Sequence, residues 1–297
     1  MEAEPQIRAF FDEPTNTVSY LVWDPESLRG VAIDPVLDFD PAAGTVDDGS
    51  VDELIAAAGR EGVKIEWVLE THVHADHLSG APLIKQRTGA PVAIGENVRD
   101  VQTIFRPIFG AEDVKADGGD FDRLLKDGDR LQVGGLDIKV MSTPGHTPAC
   151  VSYRIGNAVF VGDTLFMPDY GTARTDFPGG CARQLYRSIR KLLSLPPETR
   201  LYMCHDYKAP GRDHFAWETT VAEERLNNRH VHDGVGEDEF VTMREERDKT
   251  LATPRLLIPS IQVNMRAGRF PPADQHGVRY LRVPVRLKDG ASPQAIC

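Results

Sequence analysis

The stretch His72-Val73-His74-Ala75-Asp76-His77 constrains this chain more than any other. It places three imidazoles and a carboxylate within six residues, directly after the apolar run Ile65, Trp67, Val68 and Leu69. In an extended segment alternate side chains share a face, so His72 and His74 can converge on one point. Asp76 and His77 then follow where the strand is expected to turn into a helix. A solvated polar turn has no need of this spacing, whereas nitrogen and oxygen donors crowded at a strand end suit a metal ion. The fold must therefore bring a buried strand to an enclosed site.

The flanking segments are consistent with that demand. Ile7–Phe11, Thr17–Trp23 and Gly30–Ile33 read as strands, punctuated by Asp12-Glu13-Pro14 and Asp24-Pro25-Glu26. A polar loop is expected over Asp40–Gly49. Ser50-Val51-Asp52-Glu53 has capping-box form and opens a helix with Val51, Leu54, Ile55 and Ala58 at helical spacing, ended by Gly62. The strand Val63–Leu69 completes a β-α-β order and leaves the cluster at its carboxyl end, where open sheets present their chemistry. A helix is expected from near His77 through Ile84, a strand over Pro91–Ile94 and a helix over Asn97–Phe105. Hairpins are expected around Gly134-Gly135 and Gly156-Asn157. Leu185, Ile189, Leu192 and Leu193 mark a further helix bounded by Pro196-Pro197, followed by a short strand over Leu201–Met203. Past residue 206 the chain is more polar. Glu237–Leu251 reads as helix, and Pro254, Pro259, Pro271 and Pro272 predict irregular segments packed on the main body. The expected organisation is a core over 1–206 and an extension over 207–297, forming one structural domain.

Three more donors occupy equivalent positions. His146 in Thr143-Pro144-Gly145-His146-Thr147, Asp163 closing Phe160-Val161-Gly162-Asp163, and His205 after Leu201-Tyr202-Met203-Cys204 each lie just past a predicted strand. Gly145 and Gly162 let the backbone approach closely there. Taken singly, His146 or His205 reads as a structural histidine. Beside the opening cluster they read as ligands.

Bulk properties narrow the function classes. The net charge of −11 and pI near 5.3 argue against nucleic acid or an anionic membrane as partner. No apolar run is long enough to span a bilayer, and the acidic start Met1-Glu2-Ala3-Glu4 is unlike a signal peptide. Cys150, Cys181, Cys204 and Cys297 are scattered without a disulfide frame, so a reduced, cytoplasmic setting is expected.

The pattern HxHxDH, a distant GH, a GD and a late His resembles the metallo-β-lactamase superfamily over roughly residues 6–206. The resemblance implies an α/β fold, a four-layer αββα sandwich, here with an irregular, partly helical C-terminal extension. Carried over by motif, His72, His74 and His146 would bind one ion, and Asp76, His77 and His205 a second, with Asp163 bridging. Such a pair of ions shares a hydroxide nucleophile and polarises a carbonyl or phosphoryl oxygen. A different subset, His72, His146 and Asp163, has the two-imidazole, one-carboxylate composition that suits mononuclear Fe(II).

The downstream segments favour the second arrangement. Arg174-Thr175-Asp176-Phe177 with Cys181, then His205-Asp206-Tyr207, resemble the persulfide dioxygenase branch of the superfamily. So do Glu223-Glu224-Arg225 with Asn227, Asp238-Glu239-Phe240-Val241 and Val263-Asn264-Met265-Arg266. The tract Met167–Ala173 looks like a bacterial β-lactamase-like subgroup of that branch and lacks the Cys-Gly that precedes the Arg in the human-type spelling. The resemblance implies one Fe(2+) per chain and oxidation of glutathione persulfide by O2 to sulfite and thiol, in sulfide detoxification. His74, Asp76, His77 and His205 would then orient the ligands and hold water. Arg174 is a candidate anchor for a substrate carboxylate, set against an internal salt bridge with Asp176. Tyr207 is a candidate hydrogen-bond donor near the substrate sulfur. Cys181, opening a helix, is either a redox residue or a packed side chain, and Arg266 is a candidate to cap the pocket. A homodimer and a functional link to a sulfurtransferase complete the partner expectations, with no nucleic acid and no membrane. The alternatives are a binuclear thioesterase of the hydroxyacylglutathione hydrolase (glyoxalase II) type with two Zn(2+), a nuclease, a non-catalytic scaffold and, least of all, a lactam hydrolase.

Overall fold

The computed structural model describes residues 4–285; Cys297 lies outside the described residues. The first hairpin, β1 (Gln6–Asp12) with β2 (Thr17–Trp23), shows how a period of two builds the layers. Val18, Tyr20 and Val22 enter a core shared by two sheets, while Leu21 and Trp23 face outward to a helical layer. β3 (Arg29–Ile33) repeats the division, Val31 and Ile33 inward and Ala32 outward. Then come β4 (Val36–Asp40), β5 (Thr45–Asp47), α1 (Gly49–Glu61), β6 (Lys64–Leu69), β7 (Leu78–Ser79), α2 (Ala81–Thr88), β8 (Val92–Gly95), α3 (Val98–Phe109) and β9 (Arg123–Leu125). The first sheet has the order β1-β2-β3-β6-β8-β9 and is parallel from β3 onward.

The second sheet runs β10 (Arg130–Val133), β11 (Leu136–Ser142), β12 (Val151–Ile155), β13 (Ala158–Phe160), β14 (Arg200–Tyr202) and β15 (Glu218–Thr220), with α4 (Ala182–Leu193) crossing between β13 and β14. The remaining elements are α5 (Val221–Asn227), α6 (Glu237–Asp248) and α7 (Leu257–Asn264). Val159, Val161, Leu201 and Met203 turn away from the central core and pack under Leu185, Ile189 and Leu192 of α4, together with Val221 and Phe240. α1, α2, α3 and α7 cover the first sheet in the same way. The result is helices, sheet, sheet, helices: the four-layer αββα sandwich. Two tyrosine hydroxyls pin the sheets together beneath the strand ends, Tyr20 donating to Met203 O and Tyr153 donating to Glu70 O at 2.8 Å. No helix among the described residues is long and apolar enough to cross a membrane.

Several local expectations are corrected. No helix begins at His77. Leu78-Ser79 pairs with Leu37-Val36 of β4 instead, and α2 starts at Ala81 with Pro82 in its first turn. Gly80 permits this, because a Cβ there would lie 2.8 Å from Val36 O. The Asp40–Gly49 loop contains β5, an exposed strand held by pairing with β4 and marked by no apolar alternation. Ser50 does not cap α1. Its Oγ and N–H both donate to Asp38, at 2.7 and 2.8 Å, so a carboxylate from β4 takes the capping role. The Pro-rich tail is not irregular throughout. α7 carries Pro259 in its first turn, where a missing N–H costs no intrahelical bond.

Candidate metal centre

The cluster forms where β6 ends. Residues 72–77 are loop, yet the alternation persists: Val73 and Ala75 join the helix-side core while His72 and His74 face the opposite way, their rings 4.1 Å apart. The turn is held by Asp34, which follows β3 and is buried. Its Oδ1 accepts from Thr71 N at 2.7 Å and lies 3.0 Å from His74 Nε2, and its Oδ2 accepts from Thr71 Oγ1 at 2.8 Å. Because the Thr71 hydroxyl gives its proton to Asp34, it accepts from His72 Nδ1, 3.0 Å away. One carboxylate thus fixes the tautomers of two histidines, leaving His72 Nε2 and His74 Nδ1 as free donor atoms. Glu70 adds a second carboxylate 3.3 Å from His74 Nε2.

The other donors arrive by the same logic. His146 Nδ1 donates to Arg174 O at 2.8 Å, which turns Nε2 toward Asp163 Oδ2, 3.6 Å away. Gly145 sits at φ 145°, where a Cβ would be 2.3 Å from Leu185 Cα, so only glycine lets this loop lie on the start of α4. Gly162, at φ 52°, brings the Asp163 loop against Thr71. His77 Nδ1 donates to Leu78 O at 3.0 Å, and His205 Nδ1 lies 3.2 Å from Asn16 O. His205 Nε2 stands 3.2 Å from Asp163 Oδ1 and 3.3 Å from Asp76 Oδ2. Each imidazole has one nitrogen engaged by an acceptor and the other turned to the centre.

The electrostatics suit neutral imidazole at two positions. Burial, with the neighbouring imidazoles, pushes His72 well below the usual histidine range. Burial first, and the neighbouring His74 imidazole second, bring His77 down to about 3. Among the described residues, His72 Nε2, His74 Nδ1 and His77 Nε2 are buried with no hydrogen-bond partner. Each such atom costs about 1–3 kcal/mol unless satisfied, and coordination to a metal ion, or to water held beside one, would satisfy it. The residues therefore fit a metal. His72, His146 and Asp163 offer ligand atoms within 4.8 Å of one another, and so do His74, Asp76 and His77. The single-ion donor set is thus assembled, beside a second group that mixes members of the two sites expected for a pair of ions.

Asp76, His146 and Asp163 face a cleft of about 310 Å³ whose walls include Phe166, Tyr170, Phe177 and Tyr207. Tyr207 stacks on His205 with ring centroids 5.6 Å apart. Arg174 lines the cleft, but its fork is taken by Asp176 at 2.6 and 2.7 Å and its third nitrogen by Ala252 O at 2.7 Å. The internal salt bridge is what the structure has. Cys181 occupies the N-cap of α4 and does not line the cleft. Arg266 faces a different groove and pairs with Asp113 at 2.7 Å, so it does not cap this pocket.

Asp34 and Glu70 escaped the sequence reading, and Asn264 entered it only as part of the Val263–Arg266 resemblance, with no place in the site. Asp34 had a usable signal, since Ile33-Asp34 is another strand end followed by a carboxylate. Asn264 is tied to the site from α7: Nδ2 donates to His74 O at 2.9 Å and His77 O at 2.7 Å, and Oδ1 accepts from Ser79 N at 2.8 Å.

The chain is similar to known proteins over most of its length. A probable metallo-hydrolase of Burkholderia pseudomallei is 54% identical over 290 residues, covering 94% of this chain and 98% of its own. The mitochondrial persulfide dioxygenase ETHE1 of Bos taurus is 31% identical over 271 residues, covering 90% of this chain and 91% of its own. The crystal structure of ETHE1 from Myxococcus xanthus aligns with a TM-score of 0.71 at 33% identity, covering 89% of this chain and all of its own. A model of the metallo-β-lactamase superfamily matches residues 13–205, from the turn after β1 to His205 itself, and the chain belongs to that superfamily.

Proposed function

We propose that this protein is a mononuclear non-heme iron dioxygenase that oxidises glutathione persulfide, or a related low-molecular-weight persulfide, in sulfide detoxification. The observation that carries the reading is the grouping of buried His72 with His146 and Asp163, the latter two lining the cleft, in a chain 31% identical to a persulfide dioxygenase. Per turnover, one persulfide, one O2 and one water give one thiol, one hydrogen sulfite and one proton. Fe(2+) held by those three residues supplies open positions and one-electron chemistry for O2 and a soft sulfur ligand. The Thr71 hydroxyl, itself held by Asp34, and the Arg174 carbonyl orient His72 and His146 through their second nitrogens. Phe166, Phe177 and Tyr207 supply apolar wall that shields the reacting sulfur from bulk water.

The neighbouring grouping of His74, Asp76 and His77 favours one alternative, a binuclear zinc thioesterase of the glyoxalase II type. The experiment is anaerobic purification, metal analysis and O2 uptake with glutathione persulfide. About one iron per chain with persulfide-dependent O2 consumption supports the dioxygenase. Two zinc ions, no O2 uptake and hydrolysis of S-lactoylglutathione would sink it.

A further inference from the structure

The charged groups of the cleft are unequally satisfied. Arg174 spends its fork on Asp176, and Arg244 is buried and held by Asp248 at 2.7 and 2.9 Å. Arg247 and Arg255 line the same cleft, and neither guanidinium has a hydrogen bond or ion pair among the described residues. This is unexpected in a chain with 45 acidic and 34 basic side chains, where free carboxylates are plentiful. Arg255 even stands on the ridge between the cleft and a groove lined by Asp12, Asp38, Asp40 and Asp47, yet pairs with none of them.

The two positions differ in setting but share the cleft mouth. Arg247 is half-buried in the last turn of α6, and Arg255 is exposed on the segment that leads into α7. A cation in a helix's last turn has a modest use of its own against the helix dipole. That use does not turn the side chain toward the metal centre, nor does it account for Arg255. Two planar, permanently charged forks at the entrance of a partly apolar pocket match a ligand whose reactive end is uncharged or soft and whose far end carries carboxylates.

We infer that Arg247 and Arg255 form an anion-binding subsite that takes the carboxylates of an acidic thiol substrate, such as the two carboxylates of glutathione, while its sulfur reaches the metal centre. This rests on the persulfide reading of the site. It assigns substrate recognition to α6 and its exit, and it leaves Arg174 a structural role.

The test uses the iron-loaded full chain and Arg247→Met, Arg255→Met and the double variant. KM for glutathione persulfide should rise about tenfold for each variant and about a hundredfold for the double, with kcat within about threefold. The persulfide of uncharged 2-mercaptoethanol should show no such change, and Arg→Lys should restore part of the affinity. Calorimetric titration with glutathione itself gives a second readout, in which the double variant should bind at least tenfold more weakly. Unchanged KM and unchanged glutathione binding overturn the subsite, as does an equal loss for charged and neutral persulfides. A wild-type chain that binds no glutathione at millimolar concentration overturns it as well. If the wild type consumes no O2 with any persulfide, yet its glutathione affinity depends on both arginines, the dioxygenase reading fails and the subsite stands.

Discussion

Replacing Asp34 by Asn removes one charge from behind the metal centre and changes almost nothing else in shape. Asp34 lies at φ 47°, a left-handed conformation that Asn tolerates well, so the backbone adds no strain. The carboxylate accepts from four donors: Thr71 N and Thr71 Oγ1 at 2.7 and 2.8 Å, His74 Nε2 at 3.0 Å, and the weaker Cys204 thiol at 3.7 Å. An amide keeps one acceptor oxygen and presents donor hydrogens at the other position. With its oxygen toward Thr71 N and His74, the Thr71 hydroxyl loses its acceptor and turns its proton to His72 Nδ1. His72 must then carry its own proton on Nε2, the atom that faces the metal. With the amide turned over, His74 loses its anchor instead. The first outcome weakens a ligand of the single-ion set and the second a donor beside it, and loss of such an outer partner typically lowers metal affinity 10–100-fold, or about 1.4–2.7 kcal/mol. Anaerobic competition between the protein and a chromophoric chelator measures this for Fe(2+), with Zn(2+) as a redox-silent control. Circular dichroism of the metal-free proteins checks that both are folded. Affinities within threefold of each other for both ions would refute the claim that Asp34 sets the donor atoms.

Three further outcomes are expected. Asp163→Ala should leave little bound iron after desalting, since it removes the one carboxylate of the single-ion set; metal analysis checks this, and full retention would remove Asp163 from the ligands. Asn264→Ala orphans one buried N–H and two buried carbonyls, at His74 and His77, and should cost about 3 kcal/mol in urea unfolding of the metal-free protein; a loss under 1 kcal/mol would contradict the tie. Burial raises the Glu224 carboxyl to about 8 against an ordinary 4.5, so the native state holds a proton that the unfolded chain has lost. Stability should therefore fall as pH rises from about 4.5 to 8, by up to about 1.4 kcal/mol per pH unit. Glu224→Gln should flatten that decline and raise Tm at pH 8; parallel pH–Tm curves would rule the assignment out.

Period-two strands, the β-α-β order and the donors past the strand ends were legible in the sequence because each is a local pattern. Alternation in Thr17–Trp23 divides two cores whatever the partners are, and HxHxDH is crowded enough to demand a metal by itself. The failures have a common cause. Ser50 looked like a cap until Asp38 reached it from another strand, and the segment after His77 looked helical until β4 paired with Leu78 and Ser79. Pro259 reads as a breaker only if its place in the helix is unknown.

By itself, then, the sequence determined the run of strands and helices and the set of metal-capable side chains, since both follow from residue type and spacing, while the four-layer arrangement was implied only by the family that those residues resemble. Which imidazole nitrogens face the ion, and which arginines remain free to meet a ligand, only the tertiary structure decided. Those outcomes depend on Asp34, 40 residues from His74, and on Asn264, 190 residues away, as well as on Asp176 and Asp248 having claimed their arginines first. Hydrogen bonds act over about 3 Å in space, and no spacing along the chain encodes that distance.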